Sequence, residues 1–334
     1  MKAAGVRTAK FFKTANTPCG IYAAEVNGIS DADLRLLRIF AGRATSTVAA
    51  GKNLSLDMYL ADIPRYDPLY PAVHLPIYSW AANIWANDID SEISLWPIMH
   101  TAMNNALADP KLMANGGDRY VCGPAGACIK AAQRIGWSVW SAVVLRDQHG
   151  KDINLFEICP KTVAKLVEKA TSEHLLKGIA TALHAPELAN GILLDPLVSL
   201  IRSPFGKKLR IVGEEPWTAA DSAALRSTVV GAQWVQHRKF KAGLVEDGKC
   251  LRCGIAPGTL CHRHCHCPAT SVAREAHFGD LPCMQAATES SRWWTRCLLP
   301  DPSQWVPLVA SSNFRMGGSS SSSALIGAKK ASQS

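Results

Sequence analysis

Three things are scarce in this 334-residue chain: long apolar runs, acidic side chains to match the basic ones around positions 200–300, and cysteines outside one short window. No apolar run reaches the roughly eighteen residues that a membrane helix needs. The tidiest, Val139 to Leu145, has the length of a buried strand. Met1 to Lys13 carries Lys and Arg but no apolar core of signal-peptide length. These absences predict a nuclear or cytoplasmic protein, with no membrane segment and not secreted. Phosphate-loop chemistry is also excluded, because Gly51-Lys52 and the glycines at 116, 117, 123 and 126 all miss the G-x-x-x-x-G-K-[ST] spacing. No internal repeat is present.

What is there is the composition of a folded protein. Apolar residues make up 48% and charged residues 19%, which is enough apolar material for one or more cores. The net charge is +9 and it is unevenly placed. Residues 1–100 carry nine basic and nine acidic side chains, whereas residues 200–300 carry fourteen and eight. A basic stretch of this kind raises the local concentration of polyanions such as nucleic acid; a solvated basic surface has the same composition.

Local patterns predict a mainly α chain with one small β-hairpin, an α+β class. Ser30 followed by Asp33 is a capping-box-like start for a helix over residues 31–45. Residues 62–76 contain four prolines and should form an irregular connection. Helices are expected over 77–86, 95–107 and 124–135, with Asn115-Gly116-Gly117-Asp118 a turn. Strands are expected at 137–145 and 153–158, joined by the turn Asp147-Gln148-His149-Gly150. Pro160 starts a helix with Val163, Leu166 and Val167 on one face; further helices fit 173–183, 219–232, 269–276 and 288–298. Trp80, Trp85, Trp96, Trp137 and Trp140 are expected to pack in the core. The Gly/Ser-rich end from Gly317 should be disordered. The expected domains are a helical region at 1–135, a hairpin-and-helix connector at 136–243, a knuckle at 244–270, a short helical extension at 271–313 and a tail at 314–334.

Five of the eleven cysteines lie between 250 and 267. A disulfide protein would spread them to staple distant loops. Cys19, Cys122, Cys128, Cys159, Cys283 and Cys297 are expected to be reduced, mostly buried thiols. Cys250 and Cys253, two residues apart, can face one ion because the turn between them folds back, and Gly254 permits the positive φ that such a turn needs. His262 and Cys267 supply a second pair separated by four residues. This is the spacing of a tetrahedral Cys/Cys/His/Cys site, and thiolates with one imidazole suit zinc. One zinc ion, Zn2+, is expected, structural because four protein ligands leave no position for water. Cys261, His264, Cys265 and His266 remain alternative ligands. A redox role for the Cys-x-x-Cys pair lacks the βαβ context that such motifs use.

Just before this cluster, Trp234 to Lys241 interleaves Trp234 and Phe240 with Arg238, Lys239 and Lys241. Such a mix can pair with phosphates and stack on bases, and Arg252 and Arg263 in the knuckle extend it. The plain alternative is an amphipathic edge strand with solvated charges.

The run Cys250-Leu-Arg-Cys-Gly254, followed by Thr259-Leu-Cys-His-Arg-His-Cys-His-Cys-Pro268, resembles the zinc knuckle that follows the polymerase domain in LINE-like non-LTR retrotransposon reverse transcriptases. Cys250, Cys253, His262 and Cys267 match that family's four ligands one by one. Gly20-Ile-Tyr-Ala-Ala-Glu-Val-Asn-Gly28 is similar to the segment that leaves the palm and enters the thumb. Trp294-Thr-Arg-Cys-Leu-Leu-Pro-Asp-Pro302 is similar to the link towards a ribonuclease H domain in some members. The resemblance implies a thumb-like helix over 31–45 and RNA or DNA as partner. It also implies that fingers and palm, with the catalytic aspartates, would precede residue 1. No Tyr/Phe-x-Asp-Asp motif occurs in the chain. Asp31 and Asp33 sit at a helix start, where acids favour the dipole. The implied protein is therefore a non-catalytic remnant or fragment of a reverse transcriptase that binds zinc and nucleic acid. Two rivals are a zinc-stapled helical protein-interaction module and an enzyme whose chemistry leaves no recognisable motif.

Overall fold

Asp67 starts the helix around which the molecule is assembled. Its carboxylate accepts from the backbone N–H of Leu69 at 2.9 Å, and both its oxygens pair with the Arg38 guanidinium at 3.0 Å. The computed structural model describes residues 10–45, 52–61, 66–86, 94–183, 188–189, 194, 198 and 218–278. The expected helix at 288–298, the segment Trp294 to Pro302, the thiols Cys283 and Cys297, and the Ser-rich tail lie outside the described residues.

Short helical turns at Phe12–Asn16, Thr17–Gly20 and Ala24–Asn27 lead into α1, Asp31–Thr45. The Ser30 hydroxyl accepts from the Asp33 N–H at 3.1 Å and donates to its carboxylate at 2.6 Å, so α1 begins where the sequence places it. Then come α2 (Leu54–Ala61), α3 (Leu69–Ala86), α4 (Trp96–Ala108) and α5 (Gly123–Arg134). Three short strands follow: β1 (Ser138–Val139), β2 (Val144–Arg146) and β3 (Asp152–Asn154). Apart from short helical turns, the helices that follow among the described residues are α6 (Pro160–Leu183), α7 (Ala219–Val229), α8 (Gln236–Lys241) and α9 (Ser271–Phe278). The class is mainly helical with a small antiparallel sheet. Among the described residues no helix is long and apolar enough to cross a membrane.

Several expectations are corrected. Residues 69–76 are helical although prolines stand at 71 and 76. Pro71 lies in the first turn, where an amide has no intrahelical acceptor to lose. Pro76 does lose one bond, but it is buried with Val73 and Ile77 on the core face, and that packing outweighs the loss. The hairpin is a three-stranded meander, with Val139 opposite Leu145 and Leu145 opposite Ile153. The expected first strand breaks at Ser141, whose hydroxyl accepts from the N–H groups of Val143 and Val144 and turns the chain. The helices expected from Pro160 and at 173–183 are one 24-residue helix, since no Gly or Pro interrupts the buried stripe from Val163 to Leu176.

The main core is built from α3, α5, α6 and the inner face of the sheet. Ile77, Trp80, Ile84, Ile129, Leu145, Ile153 and Val163 belong to it. The Trp80 indole N–H donates to the Ala142 carbonyl at 2.8 Å, which ties the turn after β1 to α3. Trp137 is buried too, whereas Trp85 and Trp140 are exposed; Arg146 covers the Trp140 ring at 3.8 Å. Among the scattered thiols within the described residues, Cys128 alone is buried; Cys19 and Cys122 are exposed and Cys159 is half-buried. Cys122 and Cys159 sit immediately before helix starts, and the Cys159 thiol lies 3.2 Å from the Thr162 hydroxyl.

A second, smaller core joins α2, α6 and α7 through Leu56, Leu60, Ile179, Leu183, Val229 and Val230. Beside it Asp57, fully buried, receives the Arg226 guanidinium at 2.7 Å and the Lys52 ammonium at 2.7 Å. The Asn53 N–H also donates to the Val230 carbonyl at 2.9 Å. This anchors α7, and α7 carries the chain into the cysteine cluster.

Candidate metal centre and the groove beside it

Cys250 and Cys253 sit on a tight turn closed by the Gly254 N–H, which donates to the Cys250 carbonyl at 2.8 Å. Gly254 adopts φ +67°, the conformation its position in the sequence calls for. The turn is braced by antiparallel pairing of Lys249 with Pro257, and by the Cys250 N–H donating to the Ala256 carbonyl at 2.8 Å. The second pair rides on a π-helical turn, His262–His266. The Thr259 hydroxyl accepts from the His262 N–H at 3.1 Å and starts that turn. A wide turn of this kind leaves Cys267 at its end, free to face back toward Cys250.

The four candidate ligand atoms converge. Cys250 Sγ lies 3.8 Å from Cys267 Sγ, and Cys253 Sγ lies 3.2 Å from His262 Nε2. All four lie within 4.8 Å of one another, in a compact Cys3His group that could hold one metal ion. The spread slightly exceeds the roughly 4 Å edge of a closed zinc tetrahedron, so a small contraction would complete it. Cys250, His262 and Cys267 are buried, and Cys253 is half-buried. Cys261, His264, Cys265 and His266 are not in the converging group. Cys261 and Cys265 instead pack against each other as a small buried apolar pair.

The backbone prepares two of the thiols for a cation. Burial pushes the Cys250 thiol up, but the N–H groups of Cys253 and Arg252 outweigh it and hold the thiol below its usual range. The N–H of Ile255 lowers Cys253 most, against burial and with help from Ala256. Cys267 is raised by burial, so its ionisation depends on a nearby positive charge.

Beside this centre lies a groove of ≈ 290 Å³ lined by Trp234, Lys239, Leu251, Arg252, Gly258 and Arg263, among others. It brings together four of the seven residues that the sequence nominates for nucleic-acid contact: Trp234, Lys239, Arg252 and Arg263. Lys239, Arg252 and Arg263 have no acidic partner among the described residues. The other three stand apart from the groove. Phe240 and Lys241 are exposed at the end of α8. Arg238 turns onto its own backbone, donating to the carbonyls of Gly231 at 2.8 Å and Gln233 at 3.3 Å. The segment 236–241 is helical, where the plain alternative was an edge strand.

Val235, Gln236, Leu251 and Gly258 line the groove but were not legible as site residues. Gly258 is the one with a signal, since Pro257-Gly258 reads as a turn. A Cβ at Gly258 would stand 2.9 Å from Gln236 Cβ and 3.1 Å from Cys250 Cα. That absence of a side chain lets the knuckle approach α8, where the His237 N–H donates to the Gly258 carbonyl at 3.2 Å. No protein-family model, curated protein or solved structure matches the chain.

Proposed function

We propose that residues 234–267 form a zinc-stapled surface that binds RNA or DNA, and that the chain acts by binding and not by catalysis. The observation that carries this reading is the groove, where an indole and three acid-free cations meet beside the metal centre. Cations neutralise phosphates and release counterions; an aromatic ring adds stacking that any base can satisfy. Three thiolates with one imidazole suit zinc better than harder cations, and a full ligand set makes the ion structural. Zinc would hold Arg252 and Arg263 in place across the groove from Lys239, because the 18 positions from Cys250 to Cys267 contain few large apolar residues to do so.

The reading as a thumb-and-knuckle portion of a LINE-like reverse transcriptase is supported by the order of the matching segments. Gly20 to Gly28 leads within three residues into the 15-residue helix α1, and the knuckle follows some 200 positions later. The deciding experiment is a binding titration of the pure protein with labelled single-stranded RNA over about 50–200 mM salt. Affinity that falls steeply and linearly on log axes is expected. No binding at the lowest salt would leave a zinc-stapled interaction module as the reading.

A further inference from the structure

We infer that Trp234 is a one-sided stacking platform for an unpaired nucleobase, and that Arg238 is the residue that positions it. This rests on the nucleic-acid reading and deepens it by naming the strandedness of the ligand. Arg238 Cζ sits over the Trp234 ring, 5.3 Å from its centroid. The same guanidinium is tied to the backbone just before Trp234 by its bonds to the Gly231 and Gln233 carbonyls. One side of the indole is thus braced by a cation that is itself fixed. Trp234 lines the groove and Arg238 does not, so the cation that braces the indole is not itself one of the groove's charges.

The rest of the groove suits a single nucleotide. Lys239 comes from α8, which starts two positions after Trp234; Arg252 and Arg263 come from the knuckle. A base on the indole would place its phosphates among these three cations. In a duplex both faces of each base are already stacked on neighbours, and an indole can gain a face only by unstacking them. An unpaired strand offers its faces at no such cost. Recognition by stacking and charge is tolerant of sequence, because every base has a face to stack and every nucleotide a phosphate.

The test compares three labelled probes: an oligouridine, a ribose-phosphate strand of equal length without bases, and the oligouridine paired with oligoadenosine. The zinc-loaded wild type is expected to bind the oligouridine about tenfold more tightly than the base-free strand, as one stacked base supplies. It should also prefer the oligouridine to the duplex. Trp234→Ala should abolish the preference for bases while leaving the salt dependence unchanged, and Trp234→Phe, which keeps a ring, should retain most of it. Arg238→Lys keeps the charge but cannot hold a planar fork over the ring; it should lose the preference with the salt slope intact. A phosphate-contacting Arg238 would instead be replaced by Lys with little effect, and that result would overturn its positioning role. Equal binding of all three probes with steep salt dependence would overturn the stacking platform and leave the nucleic-acid reading standing. Binding of none would overturn that reading itself.

Discussion

Cys253 Sγ and His262 Nε2 stand 3.2 Å apart although they are nine positions apart in the chain. That contact joins the two halves of the knuckle, since Cys253 belongs to the first turn and His262 to the second. The purified protein is expected to contain about one zinc per chain by elemental analysis. Cys253→Ser should release it, and amide exchange over residues 248–267 should rise sharply. The helices α3, α5 and α6 should keep their protection, because their apolar faces are buried against one another. A Cys253→Ser protein with undiminished zinc would show that this Cys3His group is not the metal site.

How much of this was visible in the sequence depends on whether the deciding interaction is local. The start of α1 is local: Ser30 and Asp33 are three residues apart and make the cap by themselves. The convergence of Cys250, Cys253, His262 and Cys267 is legible because a metal site would demand that fixed spacing, and Gly254 because its turn demands a positive φ. The helix through Pro76 is not local. Only burial against the main core shows why the lost hydrogen bond is tolerated. Nor could the sequence separate Arg238 from Lys239. They are adjacent in a basic run, yet one bonds backbone carbonyls at Gly231 and Gln233 while the other faces the groove.

Asp57 offers a test of the link between the N-terminal helices and the segment that carries the knuckle. Its side chain is fully buried and meets Arg226, 169 positions away, and Lys52. Asp57→Asn removes the charge and leaves two partly buried cations uncompensated. A loss of about 3–5 kcal/mol in urea unfolding is expected. Zinc content should not change, because no knuckle ligand touches this cluster. A variant as stable as the wild type would mean that the pair is solvated in solution.

His74 sets an expectation for pH. It is stacked between Tyr70 and Tyr78 on α3, at 5.1 and 5.2 Å between ring centroids, and burial lowers its pKa below the ordinary value of about 6.5. The unfolded chain therefore binds the proton more readily than the folded one. Stability from this group is present above the unfolded pKa and is lost as pH falls through it. Amide protection in α3 should drop as pH falls through about 6.5, and His74→Gln should flatten that drop. Following exchange in α3 separates this effect from acid release of zinc by the knuckle. An unchanged pH slope in His74→Gln would assign the acid sensitivity to another group.

The charges in the groove can be counted by salt dependence. Each phosphate neutralised on a single strand contributes about 0.7 to the slope of log affinity against log salt. Lys239, Arg252 and Arg263 line the groove without acidic partners, so replacing all three with Ala should lower the slope by about 2. Lys241 is exposed on α8 but does not line the groove, and Lys241→Ala should lower it by far less. Arg252 and Arg263 sit on the two turns that carry the candidate ligands, so if zinc holds those turns the apo protein should resemble the Arg252→Ala/Arg263→Ala variant more than the wild type. Removing zinc with a chelator and repeating the salt series tests that equivalence. If the apo protein keeps the full wild-type slope, the metal does not hold the groove. If the triple variant keeps it too, the strand binds elsewhere on the chain.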